Sequence, residues 1–428
     1  MISKLERLGY LKIFDLTIIV FSAVLIRVIL FFGFDYQMDL YGGDSAYYIA
    51  TGRNIMEHNV HGINSIPSFY RPPLYSLFAG IIASISETAV FFYIIQSVIS
   101  VSFSVSIYLM LQRYGTKLSF WSALLIGISP FDVLMNGRVL SENLVTPLLV
   151  LSLFYFINSD NSKKNYFISG VLMGGVVLSR DIYLLYPAFL LVMGYFMKIS
   201  YRHLAIFFLG FSLLVLPWTY RNSQLPSGGL FLSKGILWTN LWVGSWERNS
   251  DWTRVANPYI LPPEALQTFD NGKSPAIIID AFNKEDNEFF KKVVITYVLQ
   301  NPLKVVEAWV VRYPILWLGT RSGLNTSYLP RNSVPWYLLK AIFYLINGLI
   351  VIFAIFGFFN TLRTKKLPFL LCIPVIYNAL IYIPFHNVEA RYTLPVMPIL
   401  IIYFCFFVLY TKERFKLKRA EHRILNLF

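Results

Sequence analysis

The chain has 428 residues, of which 56% are hydrophobic and only 14% charged, and it carries a formal net charge of +14. Soluble domains carry about 25% charged residues, so a water-soluble fold is excluded. The basic surplus sits at the ends of apolar runs, where the bias of membrane proteins toward cytoplasmic lysine and arginine accounts for it; nucleic acid is not an expected partner, and membrane lipids are.

A helix needs about 20 apolar residues to cross a bilayer. In chain order the runs that meet this are roughly 13–33, 89–111, 118–136, 141–158, 166–180, 182–198, 203–219, 336–358, 367–384 and 392–411. The expectation is an all-α polytopic membrane protein with a bundle of about ten transmembrane helices. Lys4, Arg7 and Lys12 precede the first run, and no small-residue cleavage site follows Phe31-Phe32-Gly33, so the first span is expected to be retained. Cys372 and Cys405 fall inside apolar runs and read as reduced and unpaired.

Two apolar segments fit less well. Leu74 to Ile85 is too short to cross, and 303–320 carries Lys304, Glu307 and Arg312. If neither crosses, then Arg113, Lys117, Lys163, Lys164, Lys198, Arg202, Arg363, Lys365, Lys366 and the tail from Lys412 to Arg423 share the side of the basic N-terminus. Both segments are therefore placed as interfacial or re-entrant helices, one in a first outer loop (34–88) and one in a large outer loop (220–335). Residues 336–428 hold the C-terminal spans and a basic cytoplasmic tail. The whole, 1–428, reads as one integral domain of the cell's inner or plasma membrane.

Polar residues gather where spans meet the outer face. They are Asp44, Tyr47, Tyr48 and Arg71 in the first loop, then Asp132, Asn136, Arg138, Ser141 and Glu142, then Arg180 and Asp181, then Arg221 and Asn222, and last His386, Asn387, Glu389 and Arg391. Charges at membrane depth are costly and tend to pair or to line a cavity. A carboxylate accepts a proton from an attacking hydroxyl or amine, and cations stabilise charge growing on a departing phosphate. That combination suits transfer of a group from a lipid phosphate. No P-loop and no Gly-x-Gly-x-x-Gly is present to bind a nucleotide.

Five motifs in order, Gly-Asp44-x-x-Tyr47-Tyr48, Arg71-Pro-Pro-Leu, Arg138-x-x-Ser-Glu142, Leu216-Pro-Trp-Thr-Tyr-Arg221-Asn222 and Glu389-Ala-Arg391-Tyr-x-Leu-Pro395-x-x-Pro398, resemble those of the GT-C glycosyltransferases. Within them the chain is similar to the branch of protein O-mannosyltransferases and the aminoarabinose transferases of lipid A. The resemblance implies a GT-C-like bundle and a polyprenyl- or dolichyl-phosphate-linked monosaccharide donor. It also implies inverting transfer to a glycan, lipid or protein acceptor on the extracytoplasmic face. Carried onto this chain, it makes Asp44 the first-loop acid, as base or as orienter of the nucleophile, and Glu142 the second acid. Arg138, one turn from Glu142 if that turn is helical, pairs with it or meets the donor phosphate. Arg221, Arg391 and Arg71 are further phosphate candidates. Tyr47, Tyr48, Lys234 and Glu389 complete the expected substrate contacts. The chain departs from the branch in having Asp44-Ser45 in place of adjacent acids and Arg71-Pro72-Pro73 in place of His-Pro-Pro, and in lacking an appended soluble domain after the tenth span.

His386 and Glu389, with Glu142, offer metal-ligand chemistry, but such a histidine is more often a hydrogen-bonded structural residue. No cofactor or metal is assigned, and a divalent ion is left open. Two rivals share the hydropathy. One is a transporter or flippase, which needs ionisable groups and broken helices near mid-bilayer. The other is an O-antigen ligase or polymerase, which would move a preassembled chain.

Overall fold

In hydrocarbon every backbone N–H and C=O must be satisfied within the chain, and a segment rich in Leu, Ile, Phe and Val does this as a helix. The computed structural model describes residues 2–33, 40, 43–63, 66–225, 228–234, 237–247, 287–318, 333–385 and 390–425. Among them the extended structure is a hairpin of two-residue strands, β1 (Gly62–Ile63) and β2 (Ile66–Pro67).

The helices run in order as α1 (Ile2–Val28), α2 (Gly43–His58), α3 (Pro73–Ile85), α4 (Ala89–Leu111), α5 (Thr116–Gly127), α6 (Pro130–Asn136), α7 (Glu142–Ile157) and α8 (Lys163–Ser179). They continue as α9 (Tyr186–Phe196), α10 (Tyr201–Ser223), α11 (Leu237–Trp246), α12 (Asn287–Gln300), α13 (Pro302–Leu318), α14 (Val334–Thr364), α15 (Ile373–Ile381) and α16 (Met397–Leu425). A 3-10 turn over Ala390–Val396 leads into α16. Five stretches are long and apolar enough to cross a membrane: Lys12–Phe32, Ala89–Tyr114, Tyr201–Ser223, Val334–Thr364 and Arg391–Leu417. Helices α5 and α6, bent by 44° at their break, make a sixth if counted as one span. The protein is an integral membrane protein built as an all-α bundle, and beyond these long stretches its described residues include shorter apolar helices over Pro73–Ile85, Glu142–Ile157, Asp181–Phe196 and Phe369–Ile381. Helices α7, α8, α9 and α15 have 16, 17, 11 and 9 residues. Pro187 and Pro374 stand in the first turns of α9 and α15, where a missing N–H costs no helical hydrogen bond.

The core is built from α4, α5, α7, α8, α10 and α16, with Leu149, Val150, Leu153, Met173, Val176, Ile399 and Ile402 among its most buried side chains. Close helix approach depends on glycine. A Cβ on Gly170 would lie 2.0 Å from the carbonyl oxygen of Phe207, and one on Gly52 would lie 2.3 Å from that of Ser76 and 2.5 Å from the amide nitrogen of Gly80. The second contact holds α2 flat against α3, and so fixes the helix that carries Asp44.

The break between α5 and α6 is pinned by Arg27. Its guanidinium donates to the carbonyl of Gly127 (2.6 Å), to Ser100 Oγ (2.6 Å) and to Asp132 Oδ2 (3.0 Å). Asp132 and Arg27 therefore form a structural pair and do not join the outer polar cluster. Arg312 of α13 acts similarly, donating to the carbonyls of Gly244 (2.8 Å) and Glu247 (2.6 Å) and so satisfying the end of α11. In the large outer loop the described chain resumes as a helix at Asn287. Both cysteines are buried and unpaired.

Candidate active site

Two carboxylates stand in the first turns of helices: Asp44 in α2 and Glu142 in α7. The positive end of a helix favours an anion there. Gly43, at φ +51°, takes a backbone conformation that a side chain would strain, and it turns the chain into α2 directly before Asp44.

Asp44 is held on both oxygens. Arg71 Nη2 donates to Oδ1 at 2.7 Å and Arg391 Nη1 donates to Oδ2 at 2.8 Å. Arg71 also donates through Nη1 to the Tyr48 hydroxyl at 2.7 Å, and its guanidinium sits 5.0 to 5.6 Å from the rings of Tyr48, Tyr70 and Tyr47. Burial opposes ionisation of Asp44, but the charges of Arg71 and then Arg391 outweigh it and hold the carboxyl well below the usual range.

Glu142 lies deeper, 1% exposed against 26% for Asp44. Arg180 Nη1 forms an ion pair with its Oε1 at 2.6 Å, and Arg391 Nε approaches the same oxygen at 3.6 Å. Ser141 Oγ donates to Oε2 at 3.2 Å. One guanidinium, that of Arg391, thus links the two acids. Arg180 and Arg391 lie 4.5 and 4.9 Å from the ring of Tyr392, which stacks parallel on Tyr382 at 5.0 Å. Three guanidiniums against two carboxylates leave the cluster with a positive excess, which suits an anionic ligand.

Beside it lies a second group on the loop after α2 and the end of α10. The Tyr47 hydroxyl is 3.3 Å from Ser68 Oγ. His61 Nδ1 is 3.2 Å from the carbonyl of Ser68, and its ring meets Trp218 edge-on. Burial, the largest cause, pulls His61 down to about 4, so it is neutral at neutral pH. Arg221 donates to Asn222 Oδ1 (2.9 Å) and to the His61 carbonyl (3.4 Å), with its guanidinium 4.7 Å from the Trp218 ring. The Lys234 amide donates to the Phe69 carbonyl at 2.7 Å, and its ammonium lies 5.0 Å from the Phe231 ring.

The structure brings Asp44, Glu142, Tyr48, Arg71 and Arg391 into one hydrogen-bonded and ion-paired cluster, with Tyr47, Arg221 and Lys234 around the adjoining loop. It does not pair Arg138 with Glu142: α7 begins at Glu142, so 138 and 142 are not one helical turn apart, and Arg180 takes the carboxylate instead. The half-buried Arg138 side chain makes no ion pair or hydrogen bond among the described residues. Glu389 and His386 lie outside the described residues, and no group of three or more His, Cys, Asp or Glu side chains able to hold a metal occurs among the described ones. Arg180 and Tyr392 belong to the cluster without having been assigned a role by any motif. The one sequence signal for Arg180 was a charge at the end of an apolar run, and for Tyr392 its place beside Arg391.

Residues 70–220, less than half of the chain, match the family described as dolichyl-phosphate-mannose-protein mannosyltransferase. Among solved structures, the oligosaccharyltransferase of Archaeoglobus fulgidus with a tethered acceptor peptide is 15% identical. It superposes with a TM-score of 0.54, covering 95% of this chain and 50% of that one. The same organism's AglB, in complex with an inhibitory peptide and a dolichol-phosphate, gives 15% identity, a TM-score of 0.51, and coverage of 96% of this chain and 52% of that one. ArnT of Cupriavidus metallidurans bound to undecaprenyl phosphate gives 13% identity and a TM-score of 0.43, covering 90% and 76%. The chain spans about half the length of the oligosaccharyltransferase structures. No curated protein sequence matches it.

Proposed function

From the premise that the chain belongs by fold to the GT-C superfamily of membrane glycosyltransferases, we propose that it moves a monosaccharide from a polyprenyl-phosphate donor to an acceptor on the extracytoplasmic side of the membrane, with inversion. The observation that carries the reading is the carboxylate of Asp44 at a helix N-terminus, held between Arg71 and Arg391. The resemblance of the surrounding motifs to this branch supports a role for the same residues at the reacting groups.

An acceptor hydroxyl oxygen attacks the anomeric carbon on the face opposite the phosphate. The bond from that carbon to the phosphate oxygen breaks, and its electron pair leaves with the lipid phosphate. The acceptor proton passes to the Asp44 carboxylate. Guanidiniums meet the growing charge on the phosphate; the candidates are Arg138, four positions before Glu142 in sequence, and Arg221, backed by the Trp218 ring. One carboxylate suffices because phosphate leaves well without protonation, unlike the leaving group of a glycosidase. Glu142, buried and ion-paired, acts on Arg391 and does not touch substrate; this departs from the expectation that it is catalytic.

The test is transfer by the purified protein in lipid vesicles supplied with undecaprenyl- and dolichyl-phosphate hexoses and extracted envelope acceptors. Asp44→Asn is expected to lose about 100-fold to 10,000-fold in rate per mole of folded protein. Full activity in that variant removes Asp44 from the reaction. Product mass separates the rivals: one sugar per event supports this reading, a preassembled chain supports a ligase, and no covalent change supports transport.

A further inference from the structure

Arg391 touches the two acids through different nitrogens, Nη1 on Asp44 at 2.8 Å and Nε on Glu142 at 3.6 Å. The two ends differ in access, since Glu142 is almost fully buried and Asp44 is reached by solvent. An arriving phosphate therefore competes with Asp44 for Arg391 and cannot compete with Glu142. Whether Arg391 is able to turn toward it depends on what else satisfies Glu142. That partner is Arg180, whose Nη1 lies 2.6 Å from the same carboxylate oxygen and whose guanidinium is backed by the Tyr392 ring at 4.5 Å. Tyr392 is in turn fixed by its parallel stack on Tyr382 and by Asn378, which donates to its carbonyl at 2.9 Å. The Tyr392 hydroxyl accepts from Arg391 Nη2 at 3.1 Å.

Resting on the transfer reading above, we propose that Arg180 is a positioning residue: by neutralising Glu142 it leaves Arg391 anchored at Nε, yet able to pass its Nη1 from Asp44 to the donor phosphate. The exchange has two consequences. The phosphate gains a charge-assisted donor where negative charge will grow. Asp44 loses one of its two guanidiniums and becomes a better proton acceptor only once the donor is seated. Without Arg180, Arg391 is the remaining counter-ion of a buried carboxylate among the described residues, and the cost of leaving such a charge uncompensated draws the guanidinium toward Glu142 and away from both Asp44 and the phosphate.

The reading is tested on the full-length protein in vesicles with Arg180→Met, Arg180→Lys, Glu142→Gln and the double variant Arg180→Met with Glu142→Gln. Since an unpaired buried Glu142 threatens folding, rates are taken per mole of protein that elutes as a folded monodisperse species. The double variant, which carries no unpaired acid, keeps the test open if Arg180→Met fails to fold. A displaced guanidinium is expected to cost about 100-fold in kcat for Arg180→Met, with the KM for the lipid-phosphate sugar changed less than the kcat and with most of the rate recovered in Arg180→Lys. Because Arg180 acts through Glu142, the double variant is expected to be no slower than the slower single variant that folds. Wild-type kcat in folded Arg180→Met overturns the assignment, and so does a double variant slower than the slower single variant that folds. No transfer by the wild-type protein with any donor rejects glycosyl transfer itself, whereas transfer that is indifferent to Arg180 rejects only its positioning role.

Discussion

Asp44 is ionised in the resting protein to an unusual degree, and the direction of that shift makes a prediction about acid stability. Burial raises its affinity for a proton, while Arg71 and Arg391 lower it by more, so the folded carboxyl titrates well below the value of about 3.9 expected for an unfolded aspartate. A group depressed in this way contributes stability that is complete above the unfolded value and is lost as pH falls toward the folded one. Melting curves in detergent should therefore fall more steeply below about pH 4 for the wild type than for Asp44→Asn; parallel acid limbs would contradict the two ion pairs. Arg71 is the second residue worth changing. Its two terminal nitrogens serve Asp44 and Tyr48 at once, a fork that an ammonium cannot reproduce. Arg71→Lys is expected to lose about 10-fold to 150-fold in kcat/KM, in line with one charge-assisted hydrogen bond of about 1.5 to 3 kcal/mol, and a wild-type value would show that Tyr48 and Asp44 do not depend on the fork.

At this scale the sequence was most informative where a motif marked a residue at a helix end. Asp44, Arg71 and Arg391 stand in short patterns rich in Gly, Pro and Tyr, and their convergence was inferred from like depth in the membrane. Pairing was not legible in the same way. Glu142 has Arg138 four positions before it, which suggests a helical pair, but its partner is Arg180, from the end of another helix. Arg27 falls inside the first apolar run, and nothing local announces Asp132, 105 positions away, as its counter-ion.

Among the elements, hydropathy located the helices well and their ends poorly, because apolar content persists through a bend whereas backbone hydrogen bonding does not. The run read over 118–136 is two helices at 44°, and the carbonyl of Gly127 left over at the break is taken by Arg27. Such a break is also what a transporter would place near its substrate. Here the buried Arg27–Asp132 pair is closed on itself, with Ser100 bonded to both, and it reads as a structural pin. Removing one partner of a buried pair costs about 3 to 5 kcal/mol, because the other charge is left unpaired. Arg27→Met should accordingly lower the melting temperature sharply, and adding Asp132→Asn should restore part of the loss. A double variant as unstable as the single one would mean that packing at this site matters more than charge. The α2–α3 contact makes a separate demand. With each Cβ position within 2.5 Å of the opposing backbone, Gly80→Val forces the helices apart, at about 1 to 3 kcal/mol for overpacking. Because α2 carries Asp44, transfer should fall by more than the loss of folded protein explains.

Taken whole, the molecule places its clustered acids and guanidiniums in the first turns of α2 and α7, just before α3, at the ends of α8 and α10 and at the turn into α16, while Lys163, Lys164, Lys198 and Arg202 stand at the opposite ends of α8 and α10. The bias toward cytoplasmic lysine and arginine then predicts that the acid–arginine cluster faces the extracytoplasmic side. This orientation is open to a direct chemical test, since Cys372 and Cys405 are buried and give little background. Glu87, half exposed in the connection between α3 and α4, and Lys366, exposed after α14, are suitable reporters. In sealed, right-side-out vesicles a membrane-impermeant maleimide should label Glu87→Cys at once and Lys366→Cys only after the vesicles are opened. The reverse pattern would place the cluster on the cytoplasmic side, where a donor assembled for use beyond the membrane would not reach it. Labelling of both reporters before opening would show that the intervening helices do not seal the bilayer in the order inferred from the charges. The arrangement ties the count of crossings to chemistry: an even number of crossings separates Glu87 from Glu142 only if α4 and the bent α5–α6 unit both traverse, and that is what keeps Asp44 and Glu142 on one side, within reach of the same guanidinium.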